Sequence, residues 1–461
     1  MVAAGQKSKT RKTVKVILVI ILAMLLVIFF GINNYVEGII KDKVDTELNK
    51  NPKSLYHITY EDLSLNILTG SVSIKNIVIT PTDSARQLVD SGLLRSIVHT
   101  QVELFRIKQL KIFDFINDKN VDISKVIVKN TTTELLVNPD VEKPEKKKRK
   151  NSEKIFPNTL KRVNIGDFEF INSTFSISNN QQKDEYLLEL DSLSIIIKDV
   201  FIDSSTVGNP IPLNFSDINI KTEYFSLKSM KYYSISTSGI EFNVNDTTLT
   251  LNQFKLIPKH SRDEFNKMIK FNDDLFSVST DKVVLNGLSL SEIENSESIN
   301  LNSVVIYEPK IDIYRDKRLP DAPFKKKKLI TSAILSIPFP IYIDSVLVKD
   351  GKLTYDEMHG SMDYPGEVFF ESLNLKARNV TNDSSFIAQN PHLLVDIKSM
   401  IMGKSEITAH FDFNLQRSDD YFTAKGNLKT ISGTEFNKMV GPLMMVEVQS
   451  GDIHSAAFYF S

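Results

Sequence analysis

The chain has 461 residues, a formal net charge of −1 and 41% hydrophobic residues, so it is long enough for two or three domains. Its balanced charge provides no overall attraction to nucleic acid, which is therefore excluded as a partner. There is no cysteine, and this excludes disulfides, thiolate metal sites and a cysteine nucleophile.

The N-terminal region predicts a membrane anchor. Residues 1–15 carry five positive charges and form a predicted cytoplasmic tail, and residues 16–32 are an uninterrupted uncharged run. About 20 apolar residues span a bilayer, so this run predicts a transmembrane helix with the rest of the chain exported. A cleaved signal peptide is the alternative, but no small-x-small cleavage site follows. Residues 33–50 have apolar residues at helical spacing and predict an amphipathic stalk.

The predicted topology also indicates a compartment. No second run of comparable length occurs, so the chain is predicted to cross the membrane once. A large exported region of a eukaryotic protein would usually contain disulfides. We therefore predict a protein of the bacterial inner membrane, with most of the chain in the periplasm.

Beyond residue 50 the hydrophobic period changes to two, which is typical of strands with one apolar and one polar face. A single helix, weakened or split at Gly92, is predicted over residues 83–99. The main predicted strands lie at 102–107, 121–129, 163–171, 187–200, 247–257, 282–290, 367–380 and 405–415.

One short pattern occurs four times, beginning at Ile123, Ile165, Leu301 and Ile343. Its fourth and sixth positions are always apolar, and its eighth is polar. The apolar residues are Val126 and Val128, Phe168 and Phe170, Val304 and Ile306, and Val346 and Val348. The polar residues are Asn130, Asn172, Glu308 and Asp350. In the last copy an Asp-Gly pair follows the apolar positions, which predicts a hairpin.

The pentapeptide EFNKM also occurs twice, and each time its Glu is the last residue of a Ser-x-x-Glu pattern that predicts a capping box. The boxes are Ser261 with Glu264 and Ser432 with Glu435. We interpret the two copies as corresponding helix starts in an internally duplicated chain.

Two lysine-rich, proline-containing segments are predicted to be linkers, and contact with anionic lipid headgroups is the alternative. They divide the exported part into three predicted blocks of repeats, the last of which ends within an apparent strand. The predicted order is a first block at 51–140, a linker at 141–160, central repeats at 161–316, a linker at 317–330 and a C-terminal block at 331–461.

The sequence contains no recognisable catalytic or metal-binding motif. Its seven histidines are scattered singly, and no phosphate-binding loop or nucleophile elbow occurs. Acidic pairs flank predicted turns, and nothing selects one pair for glycoside hydrolysis. We predict no enzymatic activity, no cofactor and no metal site.

An apolar sheet face must be covered by something. A string of β-sandwich modules would cover it with a second sheet. A long curved sheet could instead leave an apolar groove that a ligand covers. The long, irregular repeats and the anchor favour the groove.

The anchor, the strand pair at 60–79, the unit at 102–137 and the segment at 441–461 together resemble the AsmA-like proteins of Gram-negative envelopes. The resemblance implies one transmembrane helix followed by an elongated, curved, repetitive antiparallel β-groove with short helices. It also implies binding of phospholipid acyl chains, and a part in intermembrane lipid transport or outer-membrane biogenesis. The implied partners are phospholipids, the inner membrane and outer-membrane or envelope proteins.

The eight apolar residues of the repeated pattern are the candidates for lining this groove. A non-enzymatic envelope scaffold of β-sandwich modules without lipid is the alternative function. A carbohydrate-binding or carbohydrate-hydrolysing ectodomain ranks third, because the chain has no tryptophan for a sugar platform.

Overall fold

The computed structural model describes residues 54–66, 69–111, 119–141, 161–206, 212–290, 298–323, 329–360, 362–417 and 419–461. The predicted transmembrane helix and stalk lie outside these residues. No helix in the described part of the chain has the length and hydropathy that crossing a membrane requires.

The described residues are mainly β, which confirms the predicted fold class at this level. The strands are β1 Tyr56–Thr59, β2 Asp62–Asn66, β3 Ser71–Pro81, β4 Ser96–Leu110, β5 Asn120–Val137, β6 Arg162–Asn179, β7 Gln182–Asp203, β8 Asp217–Thr222, β9 Tyr224–Leu227, β10 Tyr233–Thr237, β11 Gly239–Asn243, β12 Thr248–Pro258, β13 Leu275–Asn286, β14 Ile299–Tyr307, β15 Lys310–Asp316, β16 Ile341–Met358, β17 Gly366–Thr381, β18 His392–Ile401, β19 Ser405–Asn414, β20 Phe422–Leu428, β21 Ile431–Ser432, β22 Asp452–Ile453 and β23 Ala456–Phe460. The α-helices are α1 Asp83–Asp90, α2 Arg262–Met268, α3 Ile330–Leu335, α4 Ser384–Gln389 and α5 Asn437–Met444, and a 3-10 turn covers Gly433–Phe436.

Twenty-one of these strands belong to one mixed sheet, and β21 pairs with β22 in a separate ribbon. Most neighbouring strands are antiparallel, but β5–β6, β14–β16 and β15–β16 are parallel. The prediction of a purely antiparallel sheet was therefore wrong. The chain divides into two compact units. Unit 1 is Met1–Tyr186 with Asp191–Ile218, and unit 2 is Leu187–Leu190 with Asn219–Ser461.

The recurring sequence pattern marks strands that lie side by side. In unit 1, β5 and β6 are parallel with Val126 opposite Phe168 and Val128 opposite Phe170. In unit 2, β14 and β16 are parallel with Val304 opposite Val346. The partner of each residue is therefore the residue at the same position in the adjacent copy of the pattern.

At the eighth position of the pattern, β5, β6 and β16 bend, and β14 ends directly before it. Asn130, Asn172, Glu308 and Asp350 all have left-handed backbones, with φ between 49° and 53°. The predicted hairpin at Asp350 was wrong, because β16 continues through this residue as one strand. A left-handed residue can reverse a chain in a tight turn, but here it bends the strand as a bulge does.

We call the line of left-handed residues in each unit the crease. In unit 1, Asn172 Nδ2 donates to Asn130 Oδ1 at 2.8 Å, and Asn130 Nδ2 donates to Glu103 Oε2 at 2.6 Å. Asn76 of β3 is also left-handed, with φ of 52°. The two amide contacts run across the neighbouring strands β4, β5 and β6 and hold the bends in register.

The crease changes which side chains share a face. Ile74 and Ile77 are separated by an odd number of positions, yet both are buried in the same apolar cluster. Strict alternation would place them on opposite faces, and the left-handed Asn76 between them accounts for the exception. The two halves of a long strand can therefore contribute apolar side chains to one surface.

The two units repeat the same order of strand pairings. In unit 1, β2 pairs with β3 and places Leu63 opposite Ile74. In unit 2, β11 pairs with β12 in the same antiparallel way and places Ile240 opposite Leu251. The parallel pair β5–β6 of unit 1 likewise corresponds to the parallel pair β14–β16 of unit 2. The internal duplication is thus present in the strand register.

The predicted helical features agree with the structure only in part. Helix α1 ends at Asp90, and the residues that follow Gly92 enter β4, so the helical prediction over 96–99 was wrong. Ser261 and Glu264 form the predicted capping box. Ser432 makes no side-chain cap, so the second box was wrong, and the two EFNKM copies do not begin equivalent helices.

The left-handed backbone at Asp350 predicts a selective sensitivity to β-branched residues. Asp350→Val should destabilise the chain by ~1–2 kcal/mol, because a side chain branched at Cβ crowds the backbone in this conformation and lacks the polar group with which aspartate tolerates it. Asp350→Gly should leave stability within ~0.5 kcal/mol of the parent. Urea unfolding of the full chain measures both.

Asp344→Val is the matched control, because Asp344 is also exposed on β16 but its backbone is not left-handed. An equal loss of stability at positions 344 and 350 would contradict the role of the crease.

Candidate functional site

In unit 2, a row of apolar side chains crosses eleven strands. Each residue lies opposite the next one across a strand pairing. In spatial order the row is Ile220, Phe242, Leu249, Leu285, Val304, Val346, Ala377, Val395, Phe411, Ala424 and Phe460. It contains no polar residue, so a continuous apolar stripe crosses these strands.

A second row lies two positions along the same strands, on the same face. Its members are Thr222, Ile240, Leu251, Val283, Ile306, Val348, Leu375, Ile397, Ala409, Gly426 and Phe458. Beyond the crease a third row continues with Leu227, Ile235, Leu256, Val278, Ile311, Leu353, Phe370 and Ile401. None of the three rows contains a charged side chain.

Unit 1 has shorter rows in equivalent positions. One row is Leu65, Val72, Ile107, Val126 and Phe168, and the other is Leu63, Ile74, Phe105, Val128 and Phe170. We refer to the apolar rows of each unit as its apolar strip.

All eight candidate residues from the sequence lie in these strips. Val126 is buried at 6% exposure, and the other seven are half-buried. The pattern therefore marked one pair of strands in each unit. It did not reveal the neighbours that complete the rows, such as Leu285 and Phe411. Their only signal was period-two alternation, which does not specify the register between strands.

Most of the unit 2 strip is incompletely covered. In its first two rows, Phe242, Thr222, Ala377, Val395 and Ala424 are buried, and nearly all the others are half-buried. Among the described residues, the two-stranded ribbon is the only sheet besides the large one. Thus no second sheet of more than two strands packs on this strip within the described part of the chain.

Aromatic rings cluster where the rows of unit 2 reach β19, β20 and β23. Phe413 and Phe422 stack with ring centroids 5.2 Å apart, and Phe458 and Phe460 stack at 5.8 Å. Phe460 also meets Phe422 edge-on at 6.2 Å. Aromatic pairs in these geometries stabilise beyond the area they bury, so the stacked rings strengthen the packing of β19, β20 and β23.

The other face of the same strands is charged. Val126 and Phe168 lie on the apolar face. On the opposite face, Lys125 Nζ lies 2.8 Å from Glu169 Oε1 and 3.3 Å from Asp167 Oδ2. The hydrogen bond to Glu169, followed by that to Asp167, raises the pKa of Lys125. The sheet thus separates an apolar face from an ionic face.

Unit 2 shows the same separation. The carboxylate of Glu406 lies 2.8 Å from both Lys398 Nζ and Lys429 Nζ, and these hydrogen bonds lower the pKa of Glu406 to about 2. Asp396 contacts His410 Nδ1 at 2.7 Å and Arg378 at 2.6 Å. The hydrogen bond from His410 is the main cause that lowers the pKa of Asp396.

No group of three or more metal-ligating side chains lies close enough to hold a metal ion among the described residues. A scan of the chain against protein-family models finds no match, and a search of curated proteins finds none either. The resemblance to the AsmA-like family therefore stays a prediction.

Gly426 occupies a position where a side chain would displace the end of the strip. A Cβ there would lie 2.2 Å from the Thr408 carbonyl oxygen and 2.3 Å from the Phe458 ring. Gly426→Ala should therefore push β23 away and speed amide exchange at residues 456–460 at least about tenfold, the equivalent of ~1.4 kcal/mol.

Gly441→Ala is the control, because a Cβ at this helical glycine meets nothing within 4 Å. Unchanged exchange in β23 of the Gly426 variant would show that Phe458 does not pack on the glycine.

Proposed function

We propose that the apolar strip is a trough for the acyl chains of phospholipids, in an inner-membrane-anchored periplasmic protein. The protein would act without catalysis, in lipid transport between membranes and in outer-membrane biogenesis. The observation that carries this proposal is the eleven-residue apolar row of unit 2, which is only partly covered by protein.

The size of the strip suits a long apolar ligand. Strands in a sheet are about 4.8 Å apart, so eleven neighbouring strands span roughly 48 Å across the row. Such a path is several times longer than a compact ligand pocket. An elongated, curved groove of this kind is the form that the family resemblance implies.

The free energy of binding would come mainly from methylene groups. Each CH₂ removed from water contributes about 0.8 kcal/mol, so a long chain gains enough to leave a membrane only if much of it is covered. The rows contain no charged side chain to recognise a headgroup. We therefore expect weak selectivity among headgroups, which would stay in water at the edge of the trough.

The anchor predicted at residues 16–32 would tether the trough to the inner membrane, and outer-membrane or envelope proteins would be further partners. The alternative remains an envelope scaffold without lipid. Both functions are compatible with the lack of a catalytic motif, so lipid content is the property that separates them.

The first test is the lipid content of the purified full chain. Extraction with organic solvent followed by mass spectrometry should recover several phospholipid molecules per chain, with little preference for one headgroup. A monodisperse, folded protein without phospholipid would support the scaffold and overturn the trough.

The second test places a charge inside the strip. Val346→Asp should lower the bound phospholipid at least twofold, because a carboxylate in contact with acyl chains loses its hydration. Ser345→Asp is the matched control, since Ser345 is the neighbouring residue on the outer face and lies opposite Arg378.

Val346 also packs against a buried cluster, so its variant could unfold. Val348→Phe is therefore a second test variant, because it fills part of the trough without adding a charge. It should also lower the lipid content while retaining the thermal midpoint of the parent. Unchanged lipid in folded Val346→Asp and Val348→Phe variants would contradict the proposal.

A further inference from the structure

Each unit contains a small cavity between a helix and the outer face of the sheet. In unit 1 the cavity has a volume of about 180 Å³ and lies beside α1. Its lining includes Pro81, Arg86, Ile97, His99, Glu134 and Ser178. In unit 2 the cavity has a volume of about 250 Å³ and lies beside α2. Its lining includes Pro258, His260, Arg262, Leu275, Ser277 and Asp312.

The two cavities occupy equivalent places in the duplicated register. Pro81 ends β3 opposite Tyr56, and Pro258 ends β12 opposite Tyr233. Each tyrosine hydroxyl accepts from a backbone N–H of the next strand at 3.3 Å. In both units, the residue that follows the donor of this N–H lines the cavity. These two lining residues therefore occupy equivalent positions.

The equivalent lining positions are occupied by His99 in unit 1 and Ser277 in unit 2. Across the next strand pairing, His99 faces Glu134 and Ser277 faces Asp312. A carboxylate therefore occurs at the same position of the register in both cavities.

The remaining polar groups are similar in kind although not in position. Both cavities have an arginine from the adjacent helix, Arg86 in α1 and Arg262 in α2. Each also has one histidine, which comes from β4 in unit 1 and precedes α2 in unit 2. The same set of functional groups, a guanidinium, an imidazole and a carboxylate, thus occurs twice around the same type of cavity.

These cavities are separate from the apolar strip. Ile97 packs with α1 in a cluster that is distinct from the one formed by Ile77 and Val126. Ile79 packs on the same cluster as Ile77 and Val126, and it lies opposite Thr100 on β4. The side chains at positions 97 and 99 therefore point away from the strip.

The unit 1 cavity presents donors that need an acceptor. Gln101 Nε2 lies 3.1 Å from His99 Nε2. Because an amide nitrogen can only donate, His99 Nε2 accepts and the neutral ring carries its proton on Nδ1. His99 Nδ1 is buried and has no hydrogen-bond partner in the described part of the chain. A buried donor without an acceptor costs about 1–3 kcal/mol, which an anionic ligand group would recover.

The charges that line each cavity do not pair with each other. The Glu134 carboxylate accepts from Ser178 Oγ at 3.0 Å, and neither it nor Arg86 has an ion-pair partner among the described residues. In unit 2, Arg262 binds Asp356 at 2.6 Å, while Asp312 has no ion-pair partner in that same set. A ligand with both an anionic and a cationic group would match both cavities.

We propose that each cavity binds a small zwitterion with one phosphate or carboxylate and one ammonium group. The anionic group binds the arginine and histidine, and the ammonium group binds Glu134 in unit 1 or Asp312 in unit 2. The apolar walls contact the short carbon chain between the two groups. This proposal does not depend on lipid binding in the strip, because it concerns the opposite face of the sheet.

The test is calorimetric titration of the purified full chain with O-phosphoethanolamine. Two sites per chain are expected, and Glu134→Gln and Asp312→Asn should each remove one of them by weakening its affinity at least tenfold. The Glu134→Gln side chain can still accept from Ser178, so the fold should be retained. Asp246→Asn, at an exposed residue remote from both linings, is the charge-matched control and should keep both sites.

Two further ligands define the chemistry. Inorganic phosphate and ethanolamine, each carrying one of the charges, should bind at least tenfold more weakly than O-phosphoethanolamine. Equal binding of phosphate alone, no saturable binding, or two sites retained in the double variant would overturn the proposal. Vesicles of phosphatidylethanolamine and of phosphatidylglycerol distinguish a lipid headgroup from a free zwitterion. If the ligand is a lipid headgroup, the double variant should lose binding to the phosphatidylethanolamine vesicles and not to the phosphatidylglycerol vesicles. If the ligand is a free zwitterion, no such selective loss is required.

Discussion

The left-handed backbone at the crease is the constraint on which the rest of this structure depends. Each left-handed residue other than glycine costs roughly 1–2 kcal/mol, and asparagine and aspartate tolerate it best. The cost is offset because the bend lets both halves of a long strand add apolar side chains to one surface, as Ile74 and Ile77 do. The amide contact between Asn130 and Asn172 aligns the bends of neighbouring strands. Without this alignment the apolar strip would be divided between the two faces of the sheet.

The apolar strip is extended from strand to strand by repetition of one short sequence pattern. Strands that carry adjacent copies of the pattern pair in parallel and in register, so each apolar position meets its own copy on the next strand. The internal duplication also gives each unit its own apolar strip, which crosses five strands in unit 1 and eleven in unit 2. Continuity of the apolar surface is therefore a consequence of repeated strand length and bend position.

The sequence predicted the mainly β fold, and its alternation indicated which residues of the repeated pattern share one face of a strand. It could not predict that the repeats pair in parallel, since register depends on contacts between strands. The hairpin prediction at Asp350 failed for a specific reason. Aspartate followed by glycine indicates a left-handed backbone, and both a chain reversal and a strand bend use that backbone. Likewise the second EFNKM copy repeats the letters of a capping box without its hydrogen bonds, because its helix begins later.

The two faces of the sheet are suited to different ligands for the same geometric reason. Alternation places Lys125, Asp167 and Glu169 behind the apolar strip, where they remain paired in water. Where α1 and α2 pack beside this face, charged groups line small open clefts of about 180 and 250 Å³. The proposed zwitterion site needs a carboxylate in each unit, and Glu134 and Asp312 supply it at the same position of the register, opposite a polar neighbour each time.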